Sequence, residues 1–362
     1  MTHSSAPAAP RLSVIIPAHN AVATLRQSLA SVFANRGVSY EVLLINDAST
    51  DHTEQIALEF PCRVVSLHKN IMSANCRNLG AQLARGEIIV FFDADQLMTP
   101  DTLAGFARAL DEHPGVHAIV GSLAPDTPMP GFFSRFKNFQ HHYTHQTAER
   151  EGATLASGLV ALRRDAFLGI GGFEPSFSGA SIEDIALGYR MIRKGYRIRF
   201  EPSIQMVHLK AYTFRSMVRS DILHRAIPWT GLMLRERVFR SDLNTRSGNV
   251  LSVTLAWLLP ILLLAWAMGL PGGGFAALGA WLVIVALNAP FLTAALRHFG
   301  SWFALRGAMF LPVMYFYHGI GLIAGTVAYV RGKSVAQRRD PPQPVYRILE
   351  GAGEQARAAG AV

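Results

Sequence analysis

The composition of the chain changes near Asn249, and this change constrains the fold more than any other feature. Residues 12–245 mix charged and apolar side chains, whereas residues 250–330 contain no Asp or Glu. Three apolar segments in the second part each have about the 20 residues that a helix needs to cross the hydrocarbon layer of a membrane. They cover residues 250–270, 275–296 and 310–330. The sequence therefore predicts a water-soluble domain followed by transmembrane helices.

A basic cluster precedes the apolar region. It consists of Arg235, Arg237, Arg240 and Arg246, in a chain whose formal net charge is +9. Its position beside apolar segments, without a nucleic-acid-binding motif, favours anionic lipid headgroups over nucleic acid. We therefore expect a membrane partner and no nucleic acid. Residues 212–249 are predicted to form amphipathic helices in the membrane interface, with a surface helix of the soluble domain as the alternative.

The order of the basic residues leaves the number of membrane crossings open. Arg297, His298 and Arg306 place the loop after the second apolar segment in the cytoplasm, where positive residues are enriched. Three full spans would put another basic group on the opposite side, namely Arg331, Lys333, Arg338 and Arg339. Either one apolar segment is re-entrant or interfacial, or the preference of positive residues for the cytoplasmic side is overridden. In each case the sequence predicts a multi-pass protein of the cell inner (cytoplasmic) membrane, with its first domain facing the cytoplasm.

The ends of the chain and its cysteines give weaker indications. Residues 1–10 contain no apolar core of signal-peptide length, so we expect a flexible tail there and no export of the first domain. Residues 331–362 are expected to form a C-terminal tail. Cys62 and Cys76 provide neither a disulfide framework nor a zinc site, which fits a reducing compartment.

Residues 11–211 alternate short apolar strands with helical patterns, which predicts one domain. The first predicted strands cover residues 12–16, 41–45, 63–67 and 87–92. Continuous apolar residues are typical of strands buried on both faces, and strands that alternate with helices form parallel sheets. The predicted fold class is therefore α/β, with a Rossmann-like, mostly parallel sheet flanked by helices. In such sheets the ligand binds beyond the carboxyl ends of the strands.

Three polar clusters directly follow predicted strands, at residues 17–20, 46–51 and 93–95. Because the carboxyl ends of parallel strands share one edge, we expect these clusters to meet there. The last cluster contains Asp93 and Asp95, and two carboxylates at this spacing can reach a hard cation such as Mg²⁺ or Mn²⁺. An isolated Asp-x-Asp is usually solvated surface, but its position after an apolar strand makes this one a candidate metal site.

Glu183 and Asp184 begin a predicted helix. Acidic residues in a first turn are favoured by the helix dipole alone, which is a sufficient structural interpretation. The functional interpretation is a general base that takes a proton from an attacking hydroxyl group. His208 ends an extended segment, and a single histidine indicates function only through its neighbours.

Taken in order, these motifs resemble those of membrane-anchored, bacterial-type family 2 glycosyltransferases with the GT-A fold. They lie at residues 13–20, 46–51, 75–80, 93–95, 171–173 and 183–184, followed by Arg190, Gly195 and His208. The resemblance covers about residues 11–210. None of the motifs is decisive alone, but together and in this order they are specific.

The resemblance implies which residues bind the donor. Asp47 corresponds to the aspartate that binds the nucleotide base, with Pro17 and His19 packing around it. Asp93 corresponds to the residue near the ribose. The other implied nucleotide-sugar-binding positions are Asn20, Ser49 and Arg77, of which Arg77 lies where relatives place a basic residue facing the donor.

The resemblance also implies the metal site and the catalytic group. Asp95 corresponds to the ligand of a Mg²⁺ or Mn²⁺ ion on the diphosphate, and His208 to a histidine that completes this site in some relatives. Asp184 corresponds to the catalytic base of a Glu-Asp motif whose first residue is Glu183. The nucleotide site is less certain than the metal site, because the usual Tyr, Asp and Gly are replaced by His19, Asn46 and Ala48.

These features lead to an expected function. We expect a metal-dependent, inverting glycosyltransferase of the hexosyltransferase type that uses a UDP- or GDP-sugar. The expected acceptor is a hydroxyl group of a membrane lipid or lipid-linked saccharide. The Gln-x-x-Arg-Trp signature of processive polymer synthases is absent from the interfacial stretch, which argues against a cellulose-type enzyme. The alternatives are a polyprenyl-phosphate monosaccharide synthase and a non-catalytic membrane scaffold that retains the fold.

Overall fold

The computed structural model describes residues 9–175, 182–236, 247–332 and 343–352. Some predictions fall outside the described residues: those for residues 1–8, for Arg237, Arg240 and Arg246, and for Lys333, Arg338 and Arg339. The chain forms two compact units. The first unit comprises residues 1–124, 149–210 and 336–362, and the second comprises residues 125–148 and 211–335.

The first unit is built on a ten-stranded sheet with the order β10-β3-β2-β1-β4-β8-β6-β9-β5, and β7 pairs with β9. The strands are β1 (Leu12–Ala18), β2 (Tyr40–Asn46), β3 (Arg63–Leu67), β4 (Ile88–Phe92), β5 (Gln96–Met98), β6 (Ala118–Leu123), β7 (Glu151–Gly152), β8 (Leu159–Arg163), β9 (Ile198–His208) and β10 (Tyr346–Glu350). Strands β3, β2, β1 and β4 are parallel. Strand β8 runs antiparallel to β4 and β6. The predicted α/β class and mostly parallel sheet are confirmed.

Helices flank this sheet because its strands are apolar on both faces. The helices of the first unit are α1 (Leu25–Phe33), α2 (Thr53–Leu58), α3 (Ser73–Leu83), α4 (Thr102–Glu112), α6 (Arg164–Gly169) and α7 (Glu183–Arg193). Helix α3 packs closely on β1, since a Cβ atom at Gly80 would overlap the side chain of Ile15. This close packing gives a structural reason for the glycine that ends the motif at residues 75–80.

Strand β10 is the main feature of the first unit that the sequence analysis did not anticipate. It lies within the predicted C-terminal tail and pairs antiparallel with β3 over Tyr346–Glu350. Arg347 also forms an ion pair with Glu54, with 2.6 Å between Nη2 and Oε1. Leu349 packs against the core of the sheet. The described part of the tail is therefore an edge strand of the first unit.

The second unit is helical. Its elements are α5 (Phe132–Gln146), α8 (Phe214–Arg219), a π-helix (Ser220–Ala226), α9 (Ile227–Glu236), α10 (Ser247–Ala267), α11 (Gly273–Leu287), α12 (Ala289–Phe299) and α13 (Ser301–Val330). The described part of the predicted interfacial stretch is helical from Phe214 to Glu236. Aromatic side chains of α5, α12 and α13 form much of the core of this unit.

The apolar helices differ in two places from the predicted segments. The second segment is broken, because α11 ends at Leu287 and Pro290 lies in the first turn of α12, where proline is tolerated. The two helices are bent by 70°. The helix that contains the third predicted segment, α13, begins earlier than predicted, at Ser301. It directly follows Gly300, whose φ of 86° ends α12. Among the described residues, α10 and α13 are each long and apolar enough to cross a membrane, and α11 with α12 would be a third, bent span.

Candidate functional site

The loops after β1 and β2 are joined to each other by hydrogen bonds. The Asn20 side-chain oxygen accepts from the backbone N–H of Thr50 at 2.9 Å, and the Asn20 N–H donates to Ser49 Oγ at 3.1 Å. His19 Nδ1 lies 2.8 Å from the Asp47 carbonyl oxygen. Four of the predicted nucleotide-binding residues therefore share one edge of the sheet.

Asp47 lies at the base of this edge and is almost fully buried. Its carboxylate accepts the backbone N–H groups of Ile71 at 2.7 Å and Met72 at 3.0 Å, which fixes the turn before α3. Burial raises the pKa of the Asp47 carboxyl above its usual value, although these N–H groups, Cys76 and His19 act in the opposite direction. The predicted base-binding carboxylate is thus also a structural anchor.

The loop geometry bears on two of the departures from the family pattern, one unfavourably and one favourably. Ala48 has a φ of 54°, in the left-handed region that favours glycine, so the usual glycine at this position would relieve strain. Asn46 supplies an acceptor for the Ser49 N–H at 3.2 Å and donates to Glu54 at 3.1 Å. An amide can donate and accept at once, which an ionised aspartate cannot do.

Arg77 does not lie on an open surface but at the centre of a buried ion-pair network. Its Nη2 is 2.6 Å from Asp93 Oδ1, and its Nη1 is 3.4 Å from Glu183 Oε1. The Arg77 and Glu183 side chains are only 4% and 3% exposed, whereas that of Asp93 is 32% exposed. Burial disfavours the charge on Arg77, but the two carboxylates outweigh it and raise the pKa of the guanidinium. Arg77 therefore joins the end of β4 to the start of α7.

Asp95 and His208 are brought together by strand pairing. Gln96 of β5 lies opposite His208 of β9, so the side chain of the preceding Asp95 comes within 3.4 Å of His208 Nε2. Burial raises the pKa of Asp95, but the hydrogen bond from His208 and the charge of Lys210 together hold it below its usual value. An ionised carboxylate beside an imidazole suits a divalent cation. No group of three or more potential metal ligands occurs among the described residues.

Asp184 and Glu183 have different environments although they are neighbours in sequence. Glu183 is buried against Arg77, whereas Asp184 is partly exposed. The Asp184 carboxylate accepts the backbone N–H of Ser157 at 3.1 Å, and that of Ile185 at 2.8 Å. Of the two acids, Asp184 is the one that a substrate could reach.

Other motif residues support the site without lining it. The Asn78 side chain exchanges two hydrogen bonds with the backbone of Phe173, at 2.8 and 2.9 Å. Arg190 donates to the carbonyl oxygens of Ile170 and Gly172. Gly172 has a φ of 65°, so the turn needs glycine. Ser157 was missed by the sequence analysis, because a backbone N–H leaves no signal in residue type.

Hydrogen bonds connect the segments that follow β1, β2 and β4. The first and second share the bonds of Asn20, and Thr24 Oγ1 donates to the Ala94 carbonyl oxygen at 2.8 Å, between Asp93 and Asp95. Arg77 then links Asp93 to Glu183. The mostly parallel sheet with an Asp-x-Asp turn after β4 defines the first unit as a GT-A fold.

Comparison with known proteins agrees with this fold. Residues 13–170 match the family described as glycosyl transferase family 2, and residues 137–213 match one described as the N-terminal domain of galactosyltransferase. Mannosyltransferase PcManGT from Pyrobaculum calidifontis, solved in complex with GDP-Man and Mn²⁺, superposes with a TM-score of 0.56 at 20% identity, covering 91% of this chain and 89% of that one. At this identity the likeness shows the fold alone.

Similar sequences are described as glycosyltransferases. An uncharacterized glycosyltransferase of Haemophilus influenzae is 23% identical over 217 residues, which are 58% of this chain and 71% of the relative. The putative glycosyltransferase EpsE of Bacillus subtilis is 26% identical over 208 residues, which are 52% of this chain and 69% of the relative. The family 2 match covers residues 13–170 and supports a family 2 glycosyltransferase domain in the first unit. This match supports glycosyl transfer from a nucleotide-sugar.

Proposed function

We propose that the protein is a metal-dependent, inverting hexosyltransferase that moves a sugar from a UDP- or GDP-sugar to a hydroxyl group of a membrane lipid or lipid-linked saccharide. The observation that carries this proposal is the contrast between the two acids at the start of α7. Glu183 is held in a buried ion pair with Arg77, so Asp184 is left as the partly exposed carboxylate. A general base needs this access to its acceptor.

The donor is proposed to bind at the edge formed by the loops after β1 and β2. Pro17, His19 and Asp47 contact the base, and Asn20 and Ser49 fix the shape of the loops. Two backbone N–H groups and the Cys76 thiol already bind the buried Asp47 carboxylate, so the base is proposed to use only the acceptor capacity that remains. Asp93, oriented by Arg77, lies on the ribose side.

Asp95 and His208 are proposed to hold a Mg²⁺ or Mn²⁺ ion. Two protein ligands are enough, because metal ions in nucleotide sites take most of their other ligands from phosphate and water. When bound, the ion supplies Lewis-acid stabilisation of the charge that grows on the leaving diphosphate.

Asp184 is proposed to deprotonate the acceptor hydroxyl group. The acceptor oxygen then attacks the anomeric carbon from the face opposite the diphosphate, the bond to the diphosphate breaks, and the configuration inverts. The Ser157 N–H holds the Asp184 carboxylate in place. Glu183 is not the base in this scheme, because it is buried against Arg77.

The substitution Asp184→Asn tests the base. Loss of a general base lowers the rate by about 10²–10⁴-fold, so we expect kcat to fall by that factor while donor affinity is retained. Asp165→Asn is a matched control, because Asp165 also lies in the first turn of a helix but is exposed and outside the site. Near-normal turnover by the Asp184→Asn enzyme would remove Asp184 from the mechanism.

Metal dependence is tested separately. We expect excess chelator to abolish transfer and added Mn²⁺ to restore it. We also expect Asp95→Asn to weaken Mn²⁺ binding, measured by titration in the presence of donor. Full activity in excess chelator would refute the role given to Asp95, and it would leave the assignment of Asp184 untouched.

The acceptor is tested by offering purified enzyme a lipid-linked saccharide and a polyprenyl phosphate, with labelled nucleotide-sugar. A phosphate acceptor is already anionic and needs no base, so the accessible Asp184 favours the hydroxyl group. Transfer to polyprenyl phosphate alone would identify a monosaccharide synthase instead. Nucleotide binding without any turnover would indicate a scaffold. The proposed location is the cell inner membrane, with the first unit in the cytoplasm.

A further inference from the structure

The pairing of β10 restricts how often the chain crosses the membrane. Tyr346–Glu350 is hydrogen-bonded to β3, so the chain returns after its apolar helices to the sheet from which it left. A sheet cannot be divided by a bilayer, because its backbone groups would lose their partners in the hydrocarbon layer. The number of crossings between β9 and β10 must therefore be even, and three full spans are incompatible with this strand.

The junction between α12 and α13 lies on the same side as α5. Residues 125–148, which contain α5, leave the sheet after β6 and return to it at β7, and their polar residues prevent a crossing. Phe303 of α13 packs on Phe132 with ring centroids 5.2 Å apart, and Phe299 packs on Phe139 at 5.1 Å. We call the side of the membrane that holds the sheet the near side; the hydrocarbon layer separates it from the far side by about 30 Å. Because the start of α13 contacts α5, the chain is back on the near side before α13 begins.

Helix α13 then stays beside near-side helices for most of its length. The Tyr317 hydroxyl group donates to Asp221 of the π-helix at 3.0 Å. Farther along, a Cβ atom at Gly325 would lie 2.7 Å from Thr230 Cβ, so α13 is in close contact with α9 there. The segment from α8 to α9 directly follows β9 and carries too many charged residues to cross. A helix that rose through the bilayer would have left these partners behind.

We propose that α10 and the bent pair formed by α11 and α12 are the two membrane crossings, and that α13 lies in the plane of the near leaflet without crossing. Its partner is the lipid surface. A stripe of large apolar residues, spaced mostly by three or four positions, is exposed along one face of the helix. The stripe comprises Trp302, Leu305, Met309, Val313, Ile320, Ile323, Val327 and Val330. One apolar face and one protein-covered face are what an in-plane helix needs.

This topology also removes the conflict between the basic residues. Arg297, His298 and Arg306 lie at the α12–α13 junction, and Arg331 lies at the other end of α13. With two crossings, both ends of α13 face the same side, so all of these residues obey the positive-inside preference. The sequence between Arg331 and β10 contains no apolar segment of membrane-spanning length. The inference does not depend on the proposed reaction.

Single introduced cysteines test the inference in sealed vesicles with a membrane-impermeant maleimide. The probes are Glu112→Cys in the first unit, Pro271→Cys between α10 and α11, Ser301→Cys before α13, and Gln343→Cys before β10; each replaces an exposed residue. The native Cys62 and Cys76 are buried, so the unmodified chain is the unlabelled control. Labelling after detergent solubilisation confirms that each introduced thiol can react.

We expect Ser301→Cys and Gln343→Cys to be labelled from the same side as Glu112→Cys, and Pro271→Cys only from the opposite side. If Ser301→Cys instead follows Pro271→Cys, α13 spans the membrane and α11 with α12 is re-entrant. If Gln343→Cys follows Pro271→Cys, the chain crosses three times. If all four probes share one side, nothing crosses. Each of these three results would overturn the proposal.

Discussion

Removing the positive charge of Arg77 should destabilise the first unit more than any surface substitution. Arg77→Met keeps much of the volume but leaves Glu183 buried and Asp93 half-buried without their counter-charge. Breaking a buried ion pair by removing one partner costs about 3–5 kcal/mol. Glu183→Gln alone should cost about 1–2 kcal/mol, because Arg77 retains Asp93 and loses only the longer, 3.4 Å contact.

The double variant distinguishes a buried network from two independent side chains. In Arg77→Met with Glu183→Gln, the fully buried carboxylate of Glu183 is no longer left without a counter-charge, and only the more exposed Asp93 is, so the combined loss should be smaller than the sum by about 2 kcal/mol. For a unit of about 200 residues this coupling corresponds to a difference of about 4–8 °C in Tm. Thermal unfolding of the purified proteins in one detergent, without donor, measures it.

A surface pair provides the matched control. Arg26 and Glu59 also form an ion pair, but both side chains are about half exposed. Arg26→Met combined with Glu59→Gln should show little coupling, because solvent screens the two charges. If the losses of the Arg77 and Glu183 variants were additive, as expected for Arg26 and Glu59, the two buried side chains would not be coupled. That result would refute the interpretation that Arg77 neutralises the buried Glu183.

Two further predictions concern strand β2 and the loop that follows it. Ala48→Gly should raise stability by about 0.5–1 kcal/mol, because relief of the left-handed φ of 54° outweighs the added chain entropy; a lower Tm than the parent would contradict this. Glu41 is buried, and although burial raises its pKa, hydrogen bonds from Ser13 and Arg85 lower it below its usual value. Its stabilisation is therefore present above the unfolded pKa of about 4.3 and is lost as the pH falls through the lower folded pKa. The Tm values of Glu41→Gln and the parent should differ at pH 7 and converge in acid. A difference in Tm that does not change with pH would show that the ionised carboxylate of Glu41 is not the source of the stabilisation.

The sequence predicted those parts of the fold that local pattern determines. Strands β1 to β4 are mostly apolar, and β4 is so throughout, so their position and burial follow from the residues alone. The polar clusters after β1, β2 and β4 were expected at one edge. The first two share the hydrogen bonds of Asn20, and Thr24, which follows the first cluster, donates to Ala94 in the third. The bounds of these strands differ from the prediction by no more than two residues at either end.

What the sequence could not predict depends on distant partners. Arg77 and Glu183 are 106 positions apart, and no local pattern reveals that they pair. Strand β10 follows a basic segment and is mostly exposed, so only its partner β3 identifies it as part of the sheet. Helix α13 is apolar enough to span, but composition does not distinguish a spanning helix from one that lies in the interface.

The adjacent acids at the start of α7 show why a motif can require both residues while only one contacts the substrate. Consecutive helical side chains point in directions about 100° apart, so one of the pair can enter the core while the other reaches the cleft. Glu183 enters the core and binds Arg77, which also binds Asp93 beyond β4. This arrangement fixes the start of α7 relative to the Asp-x-Asp turn, and it thereby sets the distance between the proposed base Asp184 and the proposed metal ligand Asp95. The buried acid is therefore a positioning residue, and its neighbour can act as a base only because the first acid is held.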